Sequence, residues 1–136
     1  MDEYIIKLEN FSLRLGLEIF ESDIKYPSNT NMTVFVESGG FSGRAQMEID
    51  IKEFAQFASK LRSLYDTLSG SAEIKEPYGY RMFISFTAER GYVTVKGFLC
   101  DDLRQNELHF ENSFEANYLK SFACELNYAY SKYLKG

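Results

Sequence analysis

The chain has no tryptophan, one histidine, two cysteines and two prolines in 136 residues, and each scarcity narrows what it can be. With His109 as the sole histidine and cysteines only at positions 100 and 124, no stretch has the spacing of a zinc site or of a cysteine nucleophile with its base. Both thiols are expected to stay reduced and partly buried, Cys100 on a strand and Cys124 on a helix. Two prolines and nine glycines leave little material for linkers, so one domain over residues 1–136 is expected. No apolar run approaches the roughly 20 residues that cross a bilayer. The amino terminus, Met1-Asp2-Glu3 before "YIIKLEN", is acidic and too short in apolar length for a secretory signal. The expected location is therefore the cytoplasm. Basic charge is also scarce: 15 lysines and arginines against 20 acids give a formal charge of −5 and a pI of about 4.9. That balance repels phosphate backbones and anionic lipid alike, so neither nucleic acid nor a membrane is an expected partner. Residues 1–50 hold nine acids and four bases, so an acidic face should draw on this third, with Glu18, Glu21 and Asp23 among its members.

What the sequence does hold is apolar and aromatic: 45% hydrophobic residues, with ten tyrosines and twelve phenylalanines, suffice for a packed core. Leu13, Leu15, Leu17 and Ile19 alternate with Arg14, Gly16 and Glu18, the period of a half-buried strand. Met32–Glu37 and Phe41–Ile49 repeat the pattern around Gly39-Gly40. Bringing Met32, Val34 and Val36 onto the face of Gly43, Ala45 and Met47 requires opposed residue numbers to sum to an odd value. A two-residue glycine loop supplies this, with Val34 opposite Ala45 and Phe35 opposite Arg44. From Asp50 the period becomes helical, with Phe54, Phe57, Ala58, Leu61, Leu64, Tyr65 and Leu68 on one stripe. Asp50 and Glu53 have capping-box spacing, and Gly70 ends the helix. A second stripe, Tyr118, Leu119, Phe122, Ala123, Leu126, Tyr130 and Tyr133, predicts a helix entered near Asn112 or Ser113. Between the helices, Ser71–Glu76, Tyr80–Thr87, Tyr92–Leu99 and Asn106–Glu111 read as strands. The expected fold is α+β: a curved or split antiparallel sheet of seven to eight strands with two helices, Ile51–Leu68 and Phe114–Leu134. Its halves each read as a β-meander followed by a helix. General supersecondary rules account for that likeness as readily as an internal repeat does.

The stretch "EIKEPYGYRMF", Glu73 to Phe83, raises a separate question. Placing Ile74 opposite Met82 and Glu76 opposite Tyr80 demands an even sum and a three-residue loop, Pro77-Tyr78-Gly79. Proline presets φ and glycine takes the left-handed position. Geometry asks for no aromatic at Tyr78, which either folds back on its neighbours or is displayed. Tyrosine at an exposed tip is a good anchor, because it offers large area, few rotors and a hydroxyl. Tyr78 and Tyr80, with Glu73 and Glu76 beside them and Glu18, Glu21 and Asp23 from the acidic third, make up the candidate partner-binding set.

Catalytic groups are sparse. Glu107, His109 and Glu111 share one face of a strand, where they could hold a metal or tune an imidazole base, or form only a polar face. "ESGGFSGRA" is glycine-rich but sits in a hairpin and lacks the lysine of a phosphate cradle. No cofactor or metal is expected. With Phe86 opposite Val93 and Ile84 opposite Val95, the other face gathers Arg81, Phe83, Tyr92, Lys96 and Phe98. These are read as a second core layer ahead of a binding surface.

Four segments, "SDIKYPSN", "GFSGRAQMEIDIKEF", "LYDTLSGSAEIKEPYGY" and "ELHFENSFEANYLKSF", resemble the WapI family of bacterial immunity proteins, the likeness running from Phe11 to Phe122. The resemblance implies a small, non-catalytic cytoplasmic antitoxin that binds the toxic carboxy-terminal domain of a polymorphic toxin. Toxins of that kind are often nucleases, which must attract phosphates and are commonly basic, so an acidic inhibitor gains in encounter rate. Two other readings stand beside it: an interaction module with a different partner, and a small enzyme or metal-binding protein centred on His109.

Overall fold

Alternation of apolar residues builds eight antiparallel strands in the computed structural model, which describes residues 2–134. The first sheet is a meander of β1 (Asp2–Lys7), β2 (Phe11–Ile19), β3 (Thr30–Ser38) and β4 (Phe41–Ile49), followed by α1 (Ile51–Thr67). The second repeats the plan with β5 (Gly70–Lys75), β6 (Met82–Glu89), β7 (Tyr92–Cys100) and β8 (Glu107–Glu115), followed by α2 (Lys120–Tyr130). Short 3-10 turns lie at Glu21–Asp23, Ala116–Leu119 and Ser131–Leu134. The expected α+β class, the split antiparallel sheet and the meander-plus-helix halves are all present.

In the first half the expected register holds: Val34 faces Ala45, Phe35 faces Arg44, and Ser38 pairs with Phe41 across Gly39-Gly40. Both glycines have positive φ, 59° and 90°, which a two-residue hairpin of matching twist needs. The inner face of this sheet, including Leu13, Leu15, Leu17, Met32, Val34 and Val36, is buried. In the second half the faces are as expected but the register is not. Ile74 pairs with Ile84 instead of Met82, and Phe86 with Val95 instead of Val93. A slip by two residues keeps every side chain on its face, so hydrophobic alternation cannot detect it. The turns decide it: Arg90-Gly91 closes β6 onto β7 with φ of 55° and 82°, and the β5–β6 connection spans residues 76–81.

The helices also differ from expectation at their ends. The side chain of Asp50 caps α1 by accepting the Lys52 N–H at 2.9 Å, while Glu53 stands exposed outside any capping box. The first helix ends at Thr67, within one residue of the expected Leu68, but its left-handed cap is Leu68 and not a glycine: Leu68 has φ 55° and its N–H reaches the Leu64 carbonyl. The second helix starts later than Phe114. Phe110 and Phe114 keep strand alternation opposite Gly97 and Val93, β8 runs to Glu115, and α2 begins only at Lys120. Its buried face is Phe122, Ala123, Leu126 and Tyr130, whereas Tyr118 is exposed.

Aromatic contacts tie the layers together. Phe86 on β6 meets Phe57 of α1 at 6.1 Å and Phe122 of α2 at 6.2 Å between ring centroids. Phe54 meets Tyr130 edge-on at 5.3 Å, and Phe11 and Phe110 join the two sheets at 6.0 Å. Each such buried side chain contributes about 1.5–3 kcal/mol. Gly97 permits the closest backbone approach, since a Cβ there would sit 2.0 Å from the Phe83 carbonyl oxygen.

Candidate functional site

Glu76 organises the loop from Glu76 to Arg81. It continues the inward parity of Ala72 and Ile74, and its side chain is only 2% exposed. One carboxylate therefore sits where the alternation would place an apolar residue, and it is satisfied by backbone. It accepts the N–H groups of Tyr78 at 2.6 Å, Gly79 at 2.9 Å and Arg81 at 3.1 Å, with Arg81 Nε 3.7 Å away. Burial alone would raise the pKa of this carboxyl. The N–H groups of Arg81, Gly79 and Tyr78 and the Arg81 charge outweigh it and hold the pKa below the ordinary value.

With the loop wrapped round this carboxylate, the left-handed residue is Tyr80, φ 52°, and not Gly79. The three-residue loop and the pairing of Glu76 with Tyr80 are corrected accordingly. A tyrosine with positive φ is strained, and the Tyr80 ring packs edge-on against Phe98 at 5.1 Å. Tyr78 stands at the tip, 59% exposed, and its hydroxyl accepts a hydrogen bond from Ser28 Oγ at 2.8 Å. The display and fold-back alternatives are thus both partly true: the ring is presented while its hydroxyl is tethered.

The tether is firm because of Asn29, a buried residue whose role the sequence did not mark. Its Nδ2 donates to the Tyr26 carbonyl at 2.8 Å, and its Oδ1 accepts the Ile51 N–H at 2.9 Å, fixing the 24–29 loop to the start of α1. Below Tyr78 runs an open groove lined by Asn31, Gln46, Glu48, Arg81 and Asp102. Arg81 straps the two sheets across it, with Nη1 2.6 Å from Asp102 and Nη2 donating to the Gln46 carbonyl at 3.3 Å.

A second surface adjoins the loop. Phe83, Phe98 and His109 form one cross-strand row on the outer face of the second sheet, with centroids 6.5 Å and 5.6 Å apart. Both helices pack on the opposite face through Phe86, so the second core layer expected here is instead a half-exposed aromatic row, with Tyr80 at its end. On the first sheet the Arg14 guanidinium lies over the Phe35 ring at 5.0 Å.

The candidate residues divide among three places. Tyr78, Tyr80 and Glu76 belong to the loop, although Glu76 is buried and supports it from beneath. Glu73 is exposed on β5 opposite Ser85. Glu18, Glu21 and Asp23 are exposed, and Glu18 and Glu21 line a different hollow against the end of α2, where Glu21 accepts a hydrogen bond from the Tyr133 hydroxyl at 3.2 Å. The trio around His109 does not converge: His109 pairs with Glu107 at 3.1 Å, and Glu111 pairs with Lys96 at 3.9 Å. Among the described residues no group of three histidine, cysteine or acidic side chains is placed to hold a metal. Cys100 and Cys124 are free, and burial, with Glu107 beside it, pushes the Cys100 thiol up.

Fold and surface together define a two-sheet α+β domain whose distinctive side chains are presented on a latched loop and on outer sheet faces. The profile of the immunity protein WapI-like family matches residues 7–134, and the chain belongs to that family. The family points to an immunity role. Among solved structures, the plant transcriptional regulator PBF-2 is 8% identical with a TM-score of 0.58, the match covering 98% of this chain and 81% of that one. MRP1/MRP2 of Trypanosoma bruciei is 11% identical with a TM-score of 0.49, covering 98% and 82%. A protein of unknown function from the DUF155 family of Prochlorococcus sp. NATL2A is 9% identical with a TM-score of 0.32, covering 92% and 98%. At these identities the PBF-2 likeness concerns fold alone. No curated protein matches the chain in sequence. No helix among the described residues is long and apolar enough to cross a membrane.

Proposed function

We propose that the protein is a non-catalytic immunity protein that binds and neutralises the toxic carboxy-terminal domain of a bacterial polymorphic toxin, a basic nuclease domain, in the cytoplasm. Membership of the WapI-like family across residues 7–134 carries this reading. The surface supports it. Tyr78 is an exposed aromatic on a loop whose conformation is set in advance by the Glu76 carboxylate and the Ser28 tether, so little ordering is needed on binding. The groove acids Glu48 and Asp102 line the hollow it stands over, and Tyr80 and Glu73 are exposed on the same half of the chain. A formal charge of −5 favours encounter with a cationic surface.

Co-expression with carboxy-terminal domains of polymorphic toxins, the cognate one among them, is the test. Rescue of growth by the intact protein, weakened by Tyr78→Ala at equal protein level, is the expected result. Toxicity unaffected by the intact protein would contradict the proposal.

A further inference from the structure

We propose that the loop of residues 101–106 is the second half of the toxin-docking surface, with Leu103 as an anchor that enters an apolar hollow of the toxin domain while Tyr78 seats on the same partner. Asp101 builds this loop much as Glu76 builds its neighbour. Its carboxylate accepts the Gln105 N–H at 2.8 Å and a hydrogen bond from Asn106 Nδ2 at 2.7 Å, and its backbone carbonyl accepts the Arg104 N–H at 3.1 Å. The Asn106 side-chain amide first, and backbone N–H groups after it, hold the Asp101 carboxyl below its ordinary pKa, so this latch is closed near neutrality. Arg104 takes the left-handed conformation, φ 57°, as Tyr80 does in the adjacent loop with φ 52°. Bulky residues keep that conformation only where their surroundings over-determine it, and such positions gather at ligand clamps and functional sites.

The two loops are tied to each other. Arg81 Nη1 lies 2.6 Å from Asp102, the Cys100 N–H donates to the Arg81 carbonyl at 2.8 Å, and the Arg104 guanidinium reaches Gly79, where an added Cβ would lie 3.4 Å from Nη2. Ser28 joins the 24–29 loop to them through Tyr78. Tyr26, Tyr78, Tyr80 and Leu103 are thus exposed on three connected loops, Leu103 most of all at 75%. Apolar side chains scattered singly need no explanation, whereas four on a scaffold whose shape is set in advance need little ordering on binding and suit an interface. The groove beside them selects the kind of partner. Glu48, Glu76 and Asp102 line it against one cation, Arg81, so it repels a phosphate backbone or an anionic lipid and favours a basic protein surface. The identity of that protein as a toxin domain rests on the immunity reading.

Calorimetric titration of the toxin domain that the intact protein neutralises, into the intact protein and two variants, is the test. Leu103→Ala should leave Tm unchanged, because so exposed a side chain leaves no cavity, and should weaken binding about ten-fold or more. Leu103→Met keeps an apolar side chain of similar reach and should bind within about three-fold of the intact protein. Unchanged affinity in Leu103→Ala overturns the anchor and leaves the immunity reading standing. An equal loss in both variants would mean that no apolar seat receives this side chain, and it overturns the proposal too. Sedimentation velocity on the same samples addresses a second copy of the chain: self-association of the intact protein that Leu103→Ala abolishes, with toxin binding unaltered, would assign the loops to that copy instead. If no toxin domain binds the intact protein, the immunity reading fails and this docking surface fails with it.

Discussion

Glu76→Gln is the sharpest perturbation of the displayed loop, because it keeps the side chain's size and removes its charge. In the wild type, three backbone N–H groups converge on a carboxylate that is 2% exposed. An amide retains one accepting oxygen but turns an NH2 toward donors, leaving at least one backbone N–H unpaired without access to water. An orphaned buried donor costs about 1–3 kcal/mol, and weaker bonding by a neutral acceptor adds about 1 kcal/mol, so the loss should be about 2–4 kcal/mol. For a domain of this size that lowers Tm by roughly 10 °C. Arg81 keeps Asp102 and the Gln46 carbonyl, so the strap between the sheets should survive. The pH dependence fixes the cause. The Glu76 carboxyl is held below its ordinary 4.5, so its contribution is complete above that value and disappears as pH falls through the folded pKa. Urea melts across the acid range should show the gap between wild type and variant full near neutrality and closing at low pH. Equal midpoints at neutral pH, or a gap indifferent to pH, would refute this account of the loop.

Other expected outcomes follow from equally specific contacts. Gly97→Ala places a Cβ 2.0 Å from the Phe83 carbonyl, against backbone that cannot yield cheaply, and should destabilise by about 3 kcal/mol or more in denaturant melts. Gly79→Ala should cost no more than about 1 kcal/mol, since its φ is not positive and the new Cβ would lie 3.3 Å from Glu76 Oε1. Tyr78→Ala should change stability by about 1 kcal/mol or less while costing about 2 kcal/mol or more in affinity for the toxin domain; an early melt with normal binding would make the tyrosine packing only. Rising salt should slow association with a basic toxin domain more than it speeds dissociation, and a rate indifferent to salt would remove the electrostatic argument. Chelator treatment should leave Tm unchanged, whereas a fall of several degrees would revive a metal around Glu107, His109 and Glu111.

Alternation and turn chemistry made much of the fold legible. Gly39-Gly40 specified both a turn and a register, and the first hairpin formed as its parity required. The second sheet shows the limit. Parity assigned each face, but the β6–β7 register was set by the Arg90-Gly91 turn and the β5–β6 register by a loop in which a charged side chain occupies an inward position, and no propensity rule anticipates Glu76 curling back onto its own backbone. The same contact moved the left-handed residue from Gly79 to Tyr80. The sequence marked Tyr78 as unexplained, and the structure presents it; that Ser28 tethers it depends on a contact across 50 residues. The aromatic row on the outer sheet was read as core because a strand pattern does not say which of its two faces the helices will cover.

The central claim is stoichiometric neutralisation, and titrating the purified protein into a fixed amount of active toxin domain tests it most directly. Residual toxin activity should fall linearly and reach its floor at one equivalent, and activity should return when the complex is dissociated. Inactivation by a small fraction of an equivalent would mean a catalytic antagonist, and full activity with the protein in excess would mean that neutralising this toxin is not its role.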